Sequence, residues 1–152
     1  MYGLTGIALD ILKCYLSNRT QSVKMNGVIS PALPVRRGVP QGSILGPLLF
    51  LFFINDLPNI SNNVVSILFA DDTTLSFRGS SIAETNYLCS NELSKFVNWS
   101  TANKLSINKN KTYCTLRTYR RMNSDLFSIS MNNHILKCVE EGLFLGVMID
   151  KN

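Results

Sequence analysis

Ile7, Ile11 and Cys14 fall at helical spacing in TGIALDILKCYLSNRT (5–20), with Leu12 and Tyr15 flanking the stripe. The chain is therefore predicted to open on an amphipathic helix that stops near Asn18. QSVKMNG (21–27) and SPALPVRRGVPQG (30–42) read as short strands around Asn26-Gly27, a strong hairpin signal. Pro31, Pro34 and Pro40 would interrupt a central strand, so this ribbon is expected to be irregular or at an edge. A turn at Gln41-Gly42-Ser43 leads into a helix from about Leu45 to Phe53, with Pro47 tolerated in its first turn. Apolar on every side, that helix is expected to be largely buried.

Two extended runs follow, predicted at roughly 64–69 and 73–78, with Asp71 and Asp72 at or beside the turn between them and exposed to solvent. The first, VVSILF, is almost wholly apolar and is expected to be buried on both faces. Ser81-Ile82-Ala83-Glu84 has the capping-box pattern and opens a helix to about Ala102. Ile82, Cys89, Leu93 and Phe96 share one face of it, with Val97 beside them. Strand signals resume in KTYCTLR and, after a polar loop, in HILKCV and LFLGVMI. The order helix, ribbon, helix, hairpin, helix, hairpin predicts an α+β fold, an antiparallel sheet with helices packed on one face.

Composition narrows the class more than the chemistry. At 152 residues, with 45% hydrophobic and 16% charged positions, the chain suits one globular domain rather than a disordered one. So little charge on so apolar a chain is the profile of a piece covered by neighbouring polypeptide. A net charge of +5 points weakly to an anionic partner. The basic residues cluster at Arg36-Arg37, at Lys104, Lys109 and Lys111, and at Arg117, Arg120 and Arg121, where solvated faces would also explain them. Cys14, Cys89, Cys114 and Cys138 are far apart, and with one histidine, His134, they give no zinc-ligand spacing. Reduced, buried cysteines of an intracellular protein are the expectation. No basic-then-apolar leader opens the chain, and ILGPLLFLFFI (44–54) is too short to span a bilayer before Asn55-Asp56 ends it.

Asp71-Asp72 is the feature local propensity leaves unexplained. Hairpin loops favour Asn-Gly, Asp-Gly or Gly-Gly, and adjacent carboxylates repel unless a proton or a cation offsets them. Mg²⁺ takes oxygen ligands and is often held by one or two carboxylates with substrate phosphates. Two such ions about 3.5–4 Å apart can stabilise both the attacking and the leaving oxygen of a phosphoryl transfer. Taken alone, Asp-Asp reads far more readily as a solvated acidic turn.

The order of blocks around it changes that reading. GVPQGSILGPLLFLFFINDLP (38–58), LFADDTTL (68–75), NKLSINKNKT (103–112) and FLGVMID (144–150), preceded by YLSNRTQSVKMNG (15–27), closely resemble successive blocks of reverse transcriptases from non-LTR (LINE-type, jockey-like) retrotransposons. The resemblance implies a polymerase palm, an RNA template, a DNA primer, a deoxynucleotide substrate, Mg²⁺ or Mn²⁺, and action in the nucleus. Phe69-Ala70-Asp71-Asp72 matches the family's aromatic-x-Asp-Asp turn, with Phe69 where many relatives have Tyr. Asp71 would ligate metal directly and Asp72 would shape the site. Pro40-Gln41-Gly42 matches the loop beside nucleotide and template, although an ordinary helix-entry turn would look the same. Lys111 would protonate the departing pyrophosphate or offset its charge, against the alternative of a plain surface lysine. Phe144-Leu145-Gly146 matches the turn that supports the primer end, where an apolar hairpin completing the core is the plainer reading.

One departure is large. The resemblance implies a further metal-binding Asp on a strand ahead of everything here, and Asp10, the one acidic residue before Gln41, lies in a predicted helix instead. Fingers and thumb segments also have no match. The chain is expected to be the later part of a palm, truncated at both ends, as a piece of a longer protein or a decayed element copy. Three functions stay open on this reading. They are a polymerase palm inactive alone, a non-catalytic relic that binds nucleic acid or a partner, and an unrelated basic α+β module.

Overall fold

The computed structural model describes residues 3–118 and 126–150, so Arg120 and Arg121 lie outside the described residues. The chain divides into two units, Met1–Phe50 and Leu51–Asn152, each taken here by itself.

In the first unit, helix α1 spans Gly6–Leu16, and Asn18 beyond it turns to φ +55°. The stop near Asn18 is thus met. The buried stripe is not the expected one. Leu9, Leu12 and Tyr15 are half-buried, whereas Ile7 is 80% exposed and Ile11 and Cys14 are also open. Both stripes have helical spacing, and spacing alone does not say which side a neighbour covers. Strand β1 (Thr20–Gln21) returns to pair with β4 (Leu33–Pro34), and between them β2 (Lys24–Met25) pairs with β3 (Val28–Ile29). Asn26 and Gly27, at φ +50° and +80°, make the two-residue turn that Asn-Gly foretells. All four strands are two residues long and exposed, the irregular ribbon that the prolines impose.

Helix α2 spans Leu45–Ile54. Its expected burial fails: Ile54 is 5% exposed, but Leu48, Leu51 and Phe53 are between 43% and 53% exposed. A helix apolar on every side needs covering on every side, and the described chain covers one.

In the second unit a short 3₁₀ helix, Leu57–Ile60, leads to β5 (Val65–Phe69), which pairs antiparallel with β6 (Asp72–Ser76). Helix α3, Ile82–Ala102, starts as predicted: the Ser81 hydroxyl accepts the Glu84 N–H at 3.2 Å. The Glu84 carboxylate reaches back to the N–H and hydroxyl of Ser80, one residue before the cap, and these bonds hold its pKa below the usual carboxylate range. The helix ends in a Schellman motif, with Leu105 N–H on Ser100 O (2.8 Å) and Lys104 N–H on Thr101 O (3.0 Å).

Cys89, Leu93 and Val97 of α3 bury against Phe127, Ile129, Met131 and Leu136 to form the core. Met131 belongs to β8 (Ser130–Met131), paired with β9 (His134–Ile135) through Asn132-Asn133, both at positive φ. Strand β7 (Tyr113–Cys114) pairs with β10 (Lys137–Cys138), and β11 (Gly142–Phe144) with β12 (Val147–Ile149).

The molecule therefore mixes helix and strand, as an α+β reading requires, with the strands of the described residues in six two-stranded ladders. One departs from the antiparallel expectation, since β7 and β10 run parallel. The antiparallel rule holds for strands joined by tight turns, and these two are separated by the whole β8–β9 hairpin. The cysteine expectation also needs correction: all four are free, but only Cys89 is buried, while Cys14 and Cys138 are exposed. Among the described residues, no helix is long and apolar enough to cross a membrane.

Candidate active site

Register decides what the Asp-Asp turn presents. Phe69 pairs directly with Asp72, so the two-residue loop is Ala70-Asp71, and Asp72 is the first residue of β6. The predicted second strand, 73–78, is corrected to 72–76. Ala70 holds φ +49°, a left-handed conformation that costs an L-residue about 1–2 kcal/mol and in hairpins usually falls to Gly. Opposed residues of a ladder share a face. Asp72 thus stands beside Phe69, in line with Ile67 and Val65, and all four are exposed. The other face, carrying Ser66, Leu68 and Leu75, is half-buried. The expectation that VVSILF is buried on both faces is wrong: it alternates, and its more exposed side carries Phe69 at 63%. Asp71 and Asp72 are both solvent-accessible, as expected.

Beneath this hairpin lies a residue the sequence did not flag. Glu92 of α3 is only 3% exposed and helps line a cavity of about 20 Å³ with Ser61, Ser66, Leu75 and Phe96. Its Oε1 accepts Lys95 Nζ at 2.9 Å and Asn63 Nδ2 at 3.2 Å. The hydrogen bond from Lys95, then those from Ser61 and Asn63, outweigh burial and hold the Glu92 carboxyl below its usual range. A charged pin thereby joins α3 to the segment entering β5. Glu at a buried position of an amphipathic helix was the available signal.

Lys111 is exposed and closes a turn, its N–H on Asn108 O at 3.1 Å. The strand after it anchors the last hairpin: Tyr113 Oη donates to Leu143 O at 3.1 Å, and Arg117 donates to Ile149 O at 2.8 Å. The crossing is tight at Gly142, where a Cβ would lie 3.0 Å from the Tyr113 ring. Phe144 pairs with Val147 around Leu145 (φ +49°) and Gly146 (φ +82°). Leu143, Leu145, Val147 and Met148 are exposed, so this hairpin does not complete the core. Lys111 and Phe144-Leu145-Gly146 thus lie on segments held together by Tyr113, which pattern reading had not singled out, and by Arg117, which it had read only as part of a basic cluster.

In the first unit, Gln41 and Gly42 are the central residues of a turn closed by Ser43 N–H on Pro40 O at 3.3 Å. Gly42 takes φ +77° with open space around it, so the backbone rather than crowding selects glycine. The Ser43 hydroxyl accepts the Gly46 N–H at 3.1 Å and starts α2. Among the described residues, no group of three or more His, Cys, Asp or Glu could hold a metal ion. Asp71 and Asp72 supply two carboxylates of the right hardness, with no third beside them among the described residues.

Against known families, the model described as reverse transcriptase (RNA-dependent DNA polymerase) matches residues 4–149. The chain belongs to the reverse transcriptase family. Curated relatives place it on the mobile-element branch. It is 28% identical over 148 residues to the RNA-directed DNA polymerase from mobile element jockey of Drosophila melanogaster, covering 93% of this chain and 16% of that protein. It is 29% identical to the Drosophila funebris counterpart, covering 94% and 16%. With the probable RNA-directed DNA polymerase from transposon X-element of Drosophila melanogaster, identity is 32% over 115 residues, 73% of this chain and 13% of that protein. This reverse transcriptase chain thus spans about a sixth of the length of its first curated relatives. No solved structure matches it. Non-LTR retrotransposon reverse transcriptase, the resemblance read from the ordered blocks, is the family the comparisons support.

Proposed function

We propose that this chain contributes the Asp-Asp hairpin, nucleotide loop and primer-side hairpin of a polymerase palm that copies an RNA template into DNA. The observation that carries the proposal is the hairpin tip: in a reverse transcriptase chain, Asp71 and Asp72 stand exposed at the end of a two-strand ladder, on a face kept clear of the core. The reaction would join a primer 3′-OH to the α-phosphate of a deoxynucleotide and release pyrophosphate. Asp71 and Asp72 would hold Mg²⁺ or Mn²⁺, which supplies charge compensation to such a transfer. Asp71, on the loop, has the freer approach, and Asp72, fixed in the ladder, limits where its neighbour can point. Gln41 offers both a donor and an acceptor to a base or nucleotide, and the glycine beside it lets backbone approach closely. Lys111 would set a positive charge against the leaving pyrophosphate. Phe144, Leu145 and Gly146 would bear on the primer end, and the setting would be chromosomal DNA in the nucleus.

With two clustered carboxylates and no third beside them among the described residues, the 152-residue polypeptide alone is expected to show no incorporation in RNA-templated primer extension with Mg²⁺ or Mn²⁺. Fused between the flanking regions of the jockey polymerase, in place of its matching segment, it is expected to extend the primer. Incorporation by the isolated chain that survives Asp71→Ala, or failure of a folded fusion whose parent is active, would count against the proposal.

A further inference from the structure

The parallel ladder brings two thiols together that lie far apart in sequence. Cys138 of β10 is the direct partner of Cys114 of β7, and opposed residues of a ladder point to the same face. Paired strands run about 4.7–4.9 Å apart, inside the Cα separations that a disulfide spans. Both cysteines are free. Cys138 is exposed, while Cys114 is half-buried against the core and its Sγ lies 3.7 Å from Lys137 O. We propose that Cys114 and Cys138 form an oxidisable dithiol, a modification site for small disulfides such as oxidised glutathione, whose closure clips β7 to β10.

Exposure fixes the order of events. The Cys138 thiolate attacks one sulfur of the glutathione disulfide, forming a mixed disulfide and releasing one glutathione thiolate. Cys114 then attacks the Cys138 sulfur and expels the second. Two protein thiols are oxidised by two electrons, one glutathione disulfide becomes two glutathiones, and the two protein protons end on those thiols. Burial, then the neighbouring Cys138 thiol, push the Cys114 thiol up to about 12. The second step is therefore slow near neutrality and quickens as pH rises, because only the thiolate attacks. Cys89, 1% exposed and raised to about 11 by burial, is shielded from the reagent.

Closure would matter to the site through what β7 and β10 join. Tyr113, next to Cys114, holds the β11–β12 hairpin, and Lys111 lies two residues further back. The clip would fix the Lys111 segment to the strand entering the last hairpin.

The test is oxidised glutathione applied to the native 152-residue chain at neutral and alkaline pH. Free thiols are then blocked and peptides mapped by mass spectrometry without reduction. The expected product is a Cys114–Cys138 cross-link that forms faster at alkaline pH, preceded by a glutathione adduct on Cys138. Cys14→Ser should leave it unchanged, whereas Cys138→Ser should abolish both adduct and cross-link. A Cys138 adduct that never resolves even at alkaline pH, or cross-links distributed without preference among the four cysteines, would overturn the proposal.

Discussion

Ala70 carries backbone strain at the Asp-Asp turn of the candidate site. It holds φ +49° immediately before Asp71, in a loop of two residues. Strain of this kind gathers at functional turns, where the surroundings enforce it. Ala70→Gly is expected to stabilise the chain by roughly 0.5–1 kcal/mol in urea unfolding, relief of strain exceeding the extra freedom of the unfolded glycine. Glu92 is the second residue whose role became visible only in the fold. Its pKa is depressed in the folded state, so its contribution is present above the unfolded value near 4.5 and lost as pH falls through and below it. The thermal midpoint should drop as pH is lowered from 6 towards 3, and Glu92→Gln should flatten that drop while lowering stability at pH 7 by about 1–3 kcal/mol. A variant with an unchanged pH profile would show that the Lys95 and Asn63 bonds carry no weight. In the sequence the one sign of this residue is a glutamate three residues after Cys89, on the apolar face of the helix.

At the scale of elements, what could be read locally was read well. Asn26-Gly27 carries the turn chemistry that a two-residue loop needs, and Ser81 with Glu84 carries the cap. Asn132-Asn133 carries a similar signal in a stretch read as a loop, since Asn tolerates positive φ. The Asp hairpin was placed correctly, but its loop was read one residue too long, because no glycine marks it. Burial was misjudged wherever it depends on a neighbour: α1 covers a different stripe, β5 covers one face, and α2 leaves Leu48, Leu51 and Phe53 open. Helix α2 offers a direct check. Leu51, 53% exposed, should accept lysine with a stability change within about 0.5 kcal/mol and less self-association in light scattering. Ile54, 5% exposed, should lose about 2–4 kcal/mol as Ile54→Ala. Equal costs at the two positions would mean that the helix is covered on both sides.

Over the whole molecule, the family was more legible than the architecture. The blocks around Gln41, Asp71, Lys111 and Gly146 point to a reverse transcriptase in sequence order, and the family match over residues 4–149 agrees. Their arrangement was not legible, because it depends on long-range pairings such as β7 with β10 and on the anchors Tyr113 and Arg117. Asp71 is the carboxylate proposed to act in nucleotide transfer, and single-turnover incorporation by the jockey-flanked fusion tests this most directly. Asp71→Ala should lower the rate by about 10³-fold or more, as expected when charge compensation in a phosphoryl transfer is lost. Thr74→Ala, on the same exposed face of the ladder and opposite Ile67, should stay within about threefold of the parent. If Asp71→Ala incorporated nucleotide as fast as Thr74→Ala, Asp71-Asp72 would be a solvated turn and the proposed site would be wrong.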